Sequence, residues 1–386
     1  MTPATVSLLD LRRRRSEKWR AFPADVLPAF VAEMDFALAP PVAAALVEAI
    51  ELGDCGYAWP SEELSEAIAG FAGERFGWRI DPGDVALVPD VMAGVVELLR
   101  GVAKPGDAVV IDTPAYPPFF SHIAEAGCRV VGTPLALDED GRYELDLNAL
   151  ERAFAAGARA YLLCNPHNPS GRVLLREELG QVAALAERHG VLVLADEIHA
   201  PLVLPGASHV PYLSLGEPAT EHAVALVSAS KGWNVPGLKC AQAVAQSPAM
   251  RRLTGAFSQD FLERVGSLGV IAATAAYRDG SPWLDDTLAV IDANRRLMTT
   301  LLAERIPAAR YVPPEGGYLA WIDCRDLGLE AEPAEVFLQH GRVALGAGPN
   351  FGAAGSGHVR VTMATSPELL TEIVDRMRTA LEPAAR

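Results

Sequence analysis

From about residue 85 onward, short apolar runs alternate with longer amphipathic ones. The runs cover residues 85–89, 108–113, 129–135, 158–165, 191–197, 223–230 and 240–246. Most are near-continuous Val, Leu and Ala, a pattern that predicts strands buried on both faces of a largely parallel sheet. Between two of them, residues 176–189 carry Leu179, Val182, Leu185 and Ala186 at helical spacing, with Gly190 placed to end the helix. Residues 91–103 repeat the pattern, and Pro105-Gly106-Asp107 turns the chain into the next run. The expectation is an α/β fold: an open, mostly parallel seven-stranded sheet flanked by crossover helices.

After Ser281-Pro282-Trp283 the rhythm changes. A long helical stretch over 284–305 leads into a mixed strand and helix region that ends in a helix near 368–381. This predicts a large domain over 46–280 and a smaller α+β domain over 281–386. The proline-punctuated residues 1–45 show no alternation of their own and are expected to pack on the smaller domain. There is no internal repeat.

Composition narrows the function classes. A chain of 386 residues that is 50% hydrophobic can bury a large core and a second, smaller one. The net charge of −16, spread along the chain, disfavours nucleic acid and anionic membrane surfaces as partners. The basic run Arg12 to Arg15 is followed by Ser16-Glu17-Lys18-Trp19 where an export signal needs an apolar stretch, so none is expected. Five scattered cysteines without a C-x-x-C pair argue against a disulfide frame or a zinc cluster, and fit a reducing cytoplasm.

In such sheets, ligands sit beyond the carboxyl ends of the strands. Three strand ends carry candidate chemistry: Asn165-Pro166-His167-Asn168-Pro169-Ser170-Gly171, then Asp196-Glu197-Ile198-His199, then Ser228-Ala229-Ser230-Lys231. A lysine at a strand end can be desolvated, and the neutral amine is the form that makes a Schiff base. Taken singly, Lys231 is an ordinary loop lysine, Asp196 a buried acid paired with an arginine, and Asn168 a turn residue. The three together, in order and each at a strand end, suit a cofactor that offers a carbonyl carbon, a cationic ring nitrogen and a phenolate oxygen.

The chain resembles the fold-type-I pyridoxal-phosphate (PLP) enzymes, and within them the cystathionine beta-lyase-like C-S lyases of the MalY/PatB family. The likeness runs almost end to end. It rests on Ser16-Glu17-Lys18-Trp19, Ala32-Glu33-Met34-Asp35-Phe36, Gly56-Tyr57, Pro114-Ala115-Tyr116-Pro117-Pro118-Phe119, Cys164-Asn165-Pro166-His167-Asn168-Pro169, Asp196-Glu197-Ile198-His199 and Glu315-Gly316-Gly317-Tyr318-Leu319-Ala320-Trp321. The resemblance implies that Lys231 holds PLP, Asp196 pairs with the pyridine nitrogen, Asn168 and His199 serve the ring oxygen, and Tyr116 stacks on the ring. It further implies that the backbone at Val91 and Met92 holds the phosphate, with side-chain donors from Ser228, Ser230 and Lys239. Tyr57 would reach in from the second subunit of a homodimer, and Arg360 would clamp the substrate carboxylate.

Several positions depart from the family pattern: Gly232-Trp233 after the lysine, Asp90 before the phosphate turn, Ala200 after His199 and Thr362 after Arg360. These changes are expected where side-chain and leaving-group recognition is set. The implied reaction is β-elimination from an S-substituted amino acid, giving thiol, pyruvate and ammonia. Transamination uses the same residues and is the alternative. A Ser228-x-x-Lys231 acyl-transfer pair lacks its S-D-N and K-T-G companions, and no H-E-x-x-H zinc motif is present. A regulatory protein partner is a third, non-enzymatic reading.

Overall fold

The computed structural model describes residues 6–59 and 62–382. Each of the seven apolar runs forms a strand: β1 Val85–Val88, β2 Ala108–Thr113, β3 Arg129–Pro134, β4 Ala160–Cys164, β5 Leu192–Asp196, β6 Ala223–Val227 and β7 Ala241–Val244. They pair in the order β1-β7-β6-β5-β4-β2-β3. Only β7 is antiparallel, against both β1 and β6. Every residue of β4, β5 and β6 is buried, as their unbroken apolar sequences require, whereas β3 lies at the edge and is mostly exposed or half-buried.

Alternate side chains of these strands feed two separate cores. Val109, Ile111, Leu162, Leu194 and Leu226 pack with Val95 and Leu99 of helix α1, Val91–Val102. Val110, Tyr161, Leu163, Val193 and Ala225 face the other way, onto Val182 and Ala186 of helix α2, Arg176–His189. Burial of each such large side chain contributes about 1.5–3 kcal/mol. Helix α2 stops as its sequence predicts, with Gly190 at φ 65 donating its amide back into the last turn.

Helix α3, Ser281–Arg305, joins two cores: Trp283, Leu284 and Ile291 belong with the large sheet, and Met298, Leu301 and Leu302 with a smaller one. The smaller sheet is antiparallel, with β8 Arg310–Tyr311, β9 Leu319–Asp323, β10 Gly346–Ala347 and β11 His358–Thr362 in the order β8-β9-β11-β10. Helix α4, Pro367–Ala380, covers it.

The N-terminal residues join this smaller layer. Leu27–Pro28 pairs in parallel with Val343–Ala344, and the Thr362 amide donates to Ala29 O at 2.9 Å. Beyond it, a buried Lys18–Asp35 ion pair at 2.8 Å and the Arg14 guanidinium, which donates to Met34 O and Phe36 O, pin residues 34–36. Asn234 then grips Met34 through both its amide and its carbonyl, each at 2.9 Å. The basic run is thus partly a fastening for the segment that crosses the ends of the large sheet. Among the described residues, no helix is long and apolar enough to cross a membrane.

Candidate active site

The carboxyl ends of the parallel strands surround a cavity of about 240 Å³. Because β7 runs the opposite way, its first residues arrive at the same edge, which brings Lys239 and Cys240 to a rim otherwise made of strand ends. Asp90, Tyr116, Asn168, Asp196, Ser230 and Lys231 all line it. Residues as far apart in sequence as Asp90 and Lys231 therefore meet because each follows a strand of the same sheet.

Helix α1 supplies one wall. Asp90 is its N-cap and accepts the Ala93 amide at 2.8 Å, while the amides of Val91 and Met92 have no partner among the described residues. Gly94 allows this helix start to sit so close: a Cβ there would meet Leu226 Cδ2 at 2.9 Å and Val88 Cγ2 at 3.3 Å. Two free donors at a helix start make a seat for an anion. Across from them, Lys239 Nζ lies 2.9 Å from Asp90 Oδ2.

Asp196 is 4% exposed at the end of β5. Burial raises its pKa to about 7, only partly offset by the Ile198 amide donating to Oδ1 at 3.1 Å. Lys231, on the short helix after β6, donates to Ala32 O at 3.1 Å. Burial, followed by the Arg360 charge, lowers its pKa to about 8. His199 is buried, and desolvation with the nearby Lys231 and Arg360 charges brings its pKa down to about 3, so the ring is neutral; its Nδ1 has no partner among the described residues. Tyr116 is half-buried and stands edge-on to Phe119 at 5.5 Å, its hydroxyl pKa raised by burial.

Arg360 is buried in β11, and the packing of the small sheet against the large one brings it to Asn168. Nη1 donates to Asn168 Oδ1 at 3.0 Å and Nη2 to Phe30 O at 2.9 Å, while Nε is buried without a partner among the described residues. The guanidinium lies 4.9 Å from the centre of the Phe351 ring. A buried cation with an unused donor, held beside the cavity, suits a carboxylate ligand.

Ser228 lines the cavity, its hydroxyl donating to Cys240 O at 2.8 Å and its oxygen accepting the Ser230 amide at 3.1 Å. One expectation, that Gly232 and Trp233 lie on the substrate side of the site, needs correction. Gly232 and Trp233 do not line the cavity: Trp233 is fully buried, bonded to Gly280 O at 3.0 Å and packed on Phe71 and Tyr277, so that departure from the family belongs to the core. Tyr57 is 87% exposed and stands outside the cavity of its own chain.

Sequence reasoning missed Ala32, Ile198, Cys164 and Cys240 as lining residues. Ile198 lies two positions beyond Asp196, and Cys164 ends β4, so the strand-end rule would have reached both. Phe30 and Phe351, which frame Arg360, carried no such signal.

Residues 34–377 match the family described as aminotransferase class I and II. A Mycobacterium leprae protein named "Putative cystathionine beta-lyase" is 47% identical over 97% of each chain. The cystathionine beta-lyase of Corynebacterium glutamicum is 34% identical, covering 97% of this chain and 99% of its own. The PLP-bound C-S lyase of Staphylococcus hominis is 25% identical and superimposes with a TM-score of 0.91 over 98% of this chain and 99% of its own.

Proposed function

We infer, from the premise that this chain belongs to the class I and II aminotransferase family, that it is a PLP-dependent carbon-sulfur lyase acting on an S-substituted cysteine. The residues fit the cofactor. A buried acid with a raised pKa suits a cationic ring nitrogen, an enclosed lysine suits the aldehyde, and two unpaired helix-start amides suit a phosphate. The observation that carries the reading is their convergence on one cavity of about 240 Å³.

When bound, PLP supplies a carbonyl for the substrate amine and an electron-poor ring for the charge released at Cα. In this reading, Arg360 pairs with the substrate carboxylate and thereby fixes which Cα bond faces Lys231. The Lys231 amine, with its pKa near 8, takes the α-proton at Nζ. Asp196 keeps the ring nitrogen protonated, and that pairing stabilises the carboxylate against the desolvation it otherwise bears. Asn168 is oriented by its bond from Arg360, so carboxylate binding and ring-oxygen contact are linked through one guanidinium. The net conversion would take one cysteine thioether and one water to one thiol, one pyruvate and one ammonia.

Elimination over transamination is supported by the names of the relatives, since the catalytic residues serve both. Tyr57, exposed in its own chain, would complete the site of a second copy, which makes the active unit a homodimer. The deciding experiment supplies cystathionine or another cysteine thioether without any keto acid. Sustained release of thiol, pyruvate and ammonia in equal amounts is expected. Turnover that stops after one equivalent and resumes on adding a keto acid would overturn the lyase reading.

A further inference from the structure

We propose that Glu33 supplies the counter-charge for Lys231, its carboxylate stabilising the ammonium that forms when Nζ takes the α-proton. The inference deepens the lyase reading above and rests on it. Glu33 is then a positioning residue, acting through Lys231 and not on the substrate.

The segment Ala32-Glu33-Met34-Asp35-Phe36 holds two acids with different surroundings. Asp35 is buried and fully engaged, accepting from Lys18 Nζ at 2.8 Å and from Trp19 Nε1 at 3.1 Å. Glu33 is half-buried, and among the described residues its carboxylate has no hydrogen-bond or ion-pair partner; Lys18 reaches its carbonyl, at 3.2 Å. Its main chain is nonetheless fixed. Ala32 O, directly before it, accepts from Lys231 Nζ at 3.1 Å and from the Tyr318 hydroxyl at 2.9 Å, and Met34 after it is held by Asn234. The free carboxylate is therefore tethered one residue from the carbonyl that Lys231 touches. Arg360 and Lys239 lower the pKa of Lys231 while Glu33 and Asp196 raise it, and Glu33 has the larger effect of the two acids. The other titratable neighbours carry no charge: His199 is neutral, and burial keeps the Tyr116 and Tyr318 hydroxyls protonated. In the loaded site Asp196 faces the ring nitrogen and Arg360 the substrate carboxylate. Proton transfer then adds a cation: the Cα–H bond breaks, an N–H bond forms at Nζ, and the electron pair stays on the substrate side. With Asp196 committed to the ring, Glu33 is the acid left to balance that cation. Lys231 acts as a base only as a free amine, which is the form it has beside Ala32 O.

Glu33→Gln removes the charge and keeps the shape, whereas Glu33→Asp keeps the charge and alters the shape. In the full chain without cofactor, the pH dependence of Lys231 acylation by acetic anhydride, read by mass analysis of its peptide, gives the midpoint of the amine. That midpoint should start near 8, fall by about one unit in Glu33→Gln and recover at least in part in Glu33→Asp. In the PLP-loaded enzyme, Glu33→Gln should lower kcat on its high-pH plateau about threefold, with KM within about twofold, because a weaker base takes the proton more slowly. The loss should be the same on S-methylcysteine and on cystathionine. An unshifted midpoint in Glu33→Gln would show that Lys231 does not feel this carboxylate, and the proposal would be wrong. A midpoint that falls as far in Glu33→Asp would trace the effect to packing and overturn it equally. So would slowing confined to cystathionine, whose distal end carries an ammonium, since Glu33 would then recognise substrate. Failure of the unmodified protein to take up PLP would instead overturn the lyase reading, and the proton-transfer role with it, whatever the labelling midpoint.

Discussion

Replacing Asp196 by Asn should have opposite effects on the empty and the loaded protein. Without cofactor, this carboxyl is buried and among the described residues its one bonded donor is the Ile198 amide, and desolvation holds its pKa near 7 against an ordinary 3.8. That difference corresponds to about 4 kcal/mol opposing folding with the group ionised, as an order of magnitude. The pH window follows from the direction. A carboxyl whose folded pKa is raised imposes no penalty below 3.8, a growing one between 3.8 and about 7, and a constant one above. Asn carries no charge at any pH. The cofactor-free Asp196→Asn protein should therefore match the parent near pH 4 and exceed it by up to about 4 kcal/mol at pH 8, as measured by urea unfolding at a series of pH values. With PLP present the order should reverse, because the ring nitrogen supplies the cation that the carboxylate lacks and the amide cannot hold it protonated. A variant that is no more stable than the parent at pH 8, or whose advantage shrinks as pH rises, would show that Asp196 is not an uncompensated buried acid and would remove the physical reason for its pairing with a pyridinium.

Borohydride reduction of the PLP-loaded protein should fix the cofactor to the peptide that contains Lys231, and mass analysis locating it on Lys239 or elsewhere would refute the assignment. Arg360→Ala should lower kcat/KM by an amount worth about 2–5 kcal/mol while leaving cofactor absorbance in place, since it removes one side of a desolvated charge pair; unaltered kinetics would mean that the substrate carboxylate is held elsewhere. Mixing inactive Lys231→Ala with inactive Tyr57→Phe subunits should regain part of the activity through one intact site per hybrid, and a fully active monomer in sedimentation would exclude the shared site.

The large sheet was legible because its central strands are buried on both faces, and this leaves an unbroken Val, Leu and Ala signature that no surface element shares. The site was legible for a related reason. In a parallel sheet, every strand delivers its next residue to the same edge, so Asn168, Asp196 and Lys231 could be assembled from order alone. What escaped was everything whose place depends on a second element. Cys240 joins the rim, with its carbonyl oxygen 2.8 Å from the Ser228 hydroxyl, only because β7 runs antiparallel to β6. Trp233, two residues from Lys231, looked like part of the site, yet the short helix that turns Lys231 toward the cavity turns its neighbour into the core beside Tyr277.

The segment at 30–36 is the extreme case, because its sequence has neither helical nor strand periodicity and its role lies in its carbonyls. Phe30 O accepts a hydrogen bond from Arg360, and Ala32 O accepts one from Lys231 and one from the Tyr318 hydroxyl at 2.9 Å, while Met34 is gripped by Asn234. Backbone acceptors carry no residue-type signature, so no reading of side chains could have found them. They nonetheless connect the substrate clamp on the small sheet to the lysine on the large one. The relative placement of those two cations is thus set by a stretch of main chain, itself anchored by the buried Lys18–Asp35 pair some way from the chemistry. Breaking that anchor should consequently disturb carboxylate binding and proton transfer together, whereas a change confined to Arg360 or to Lys231 disturbs one and spares the other.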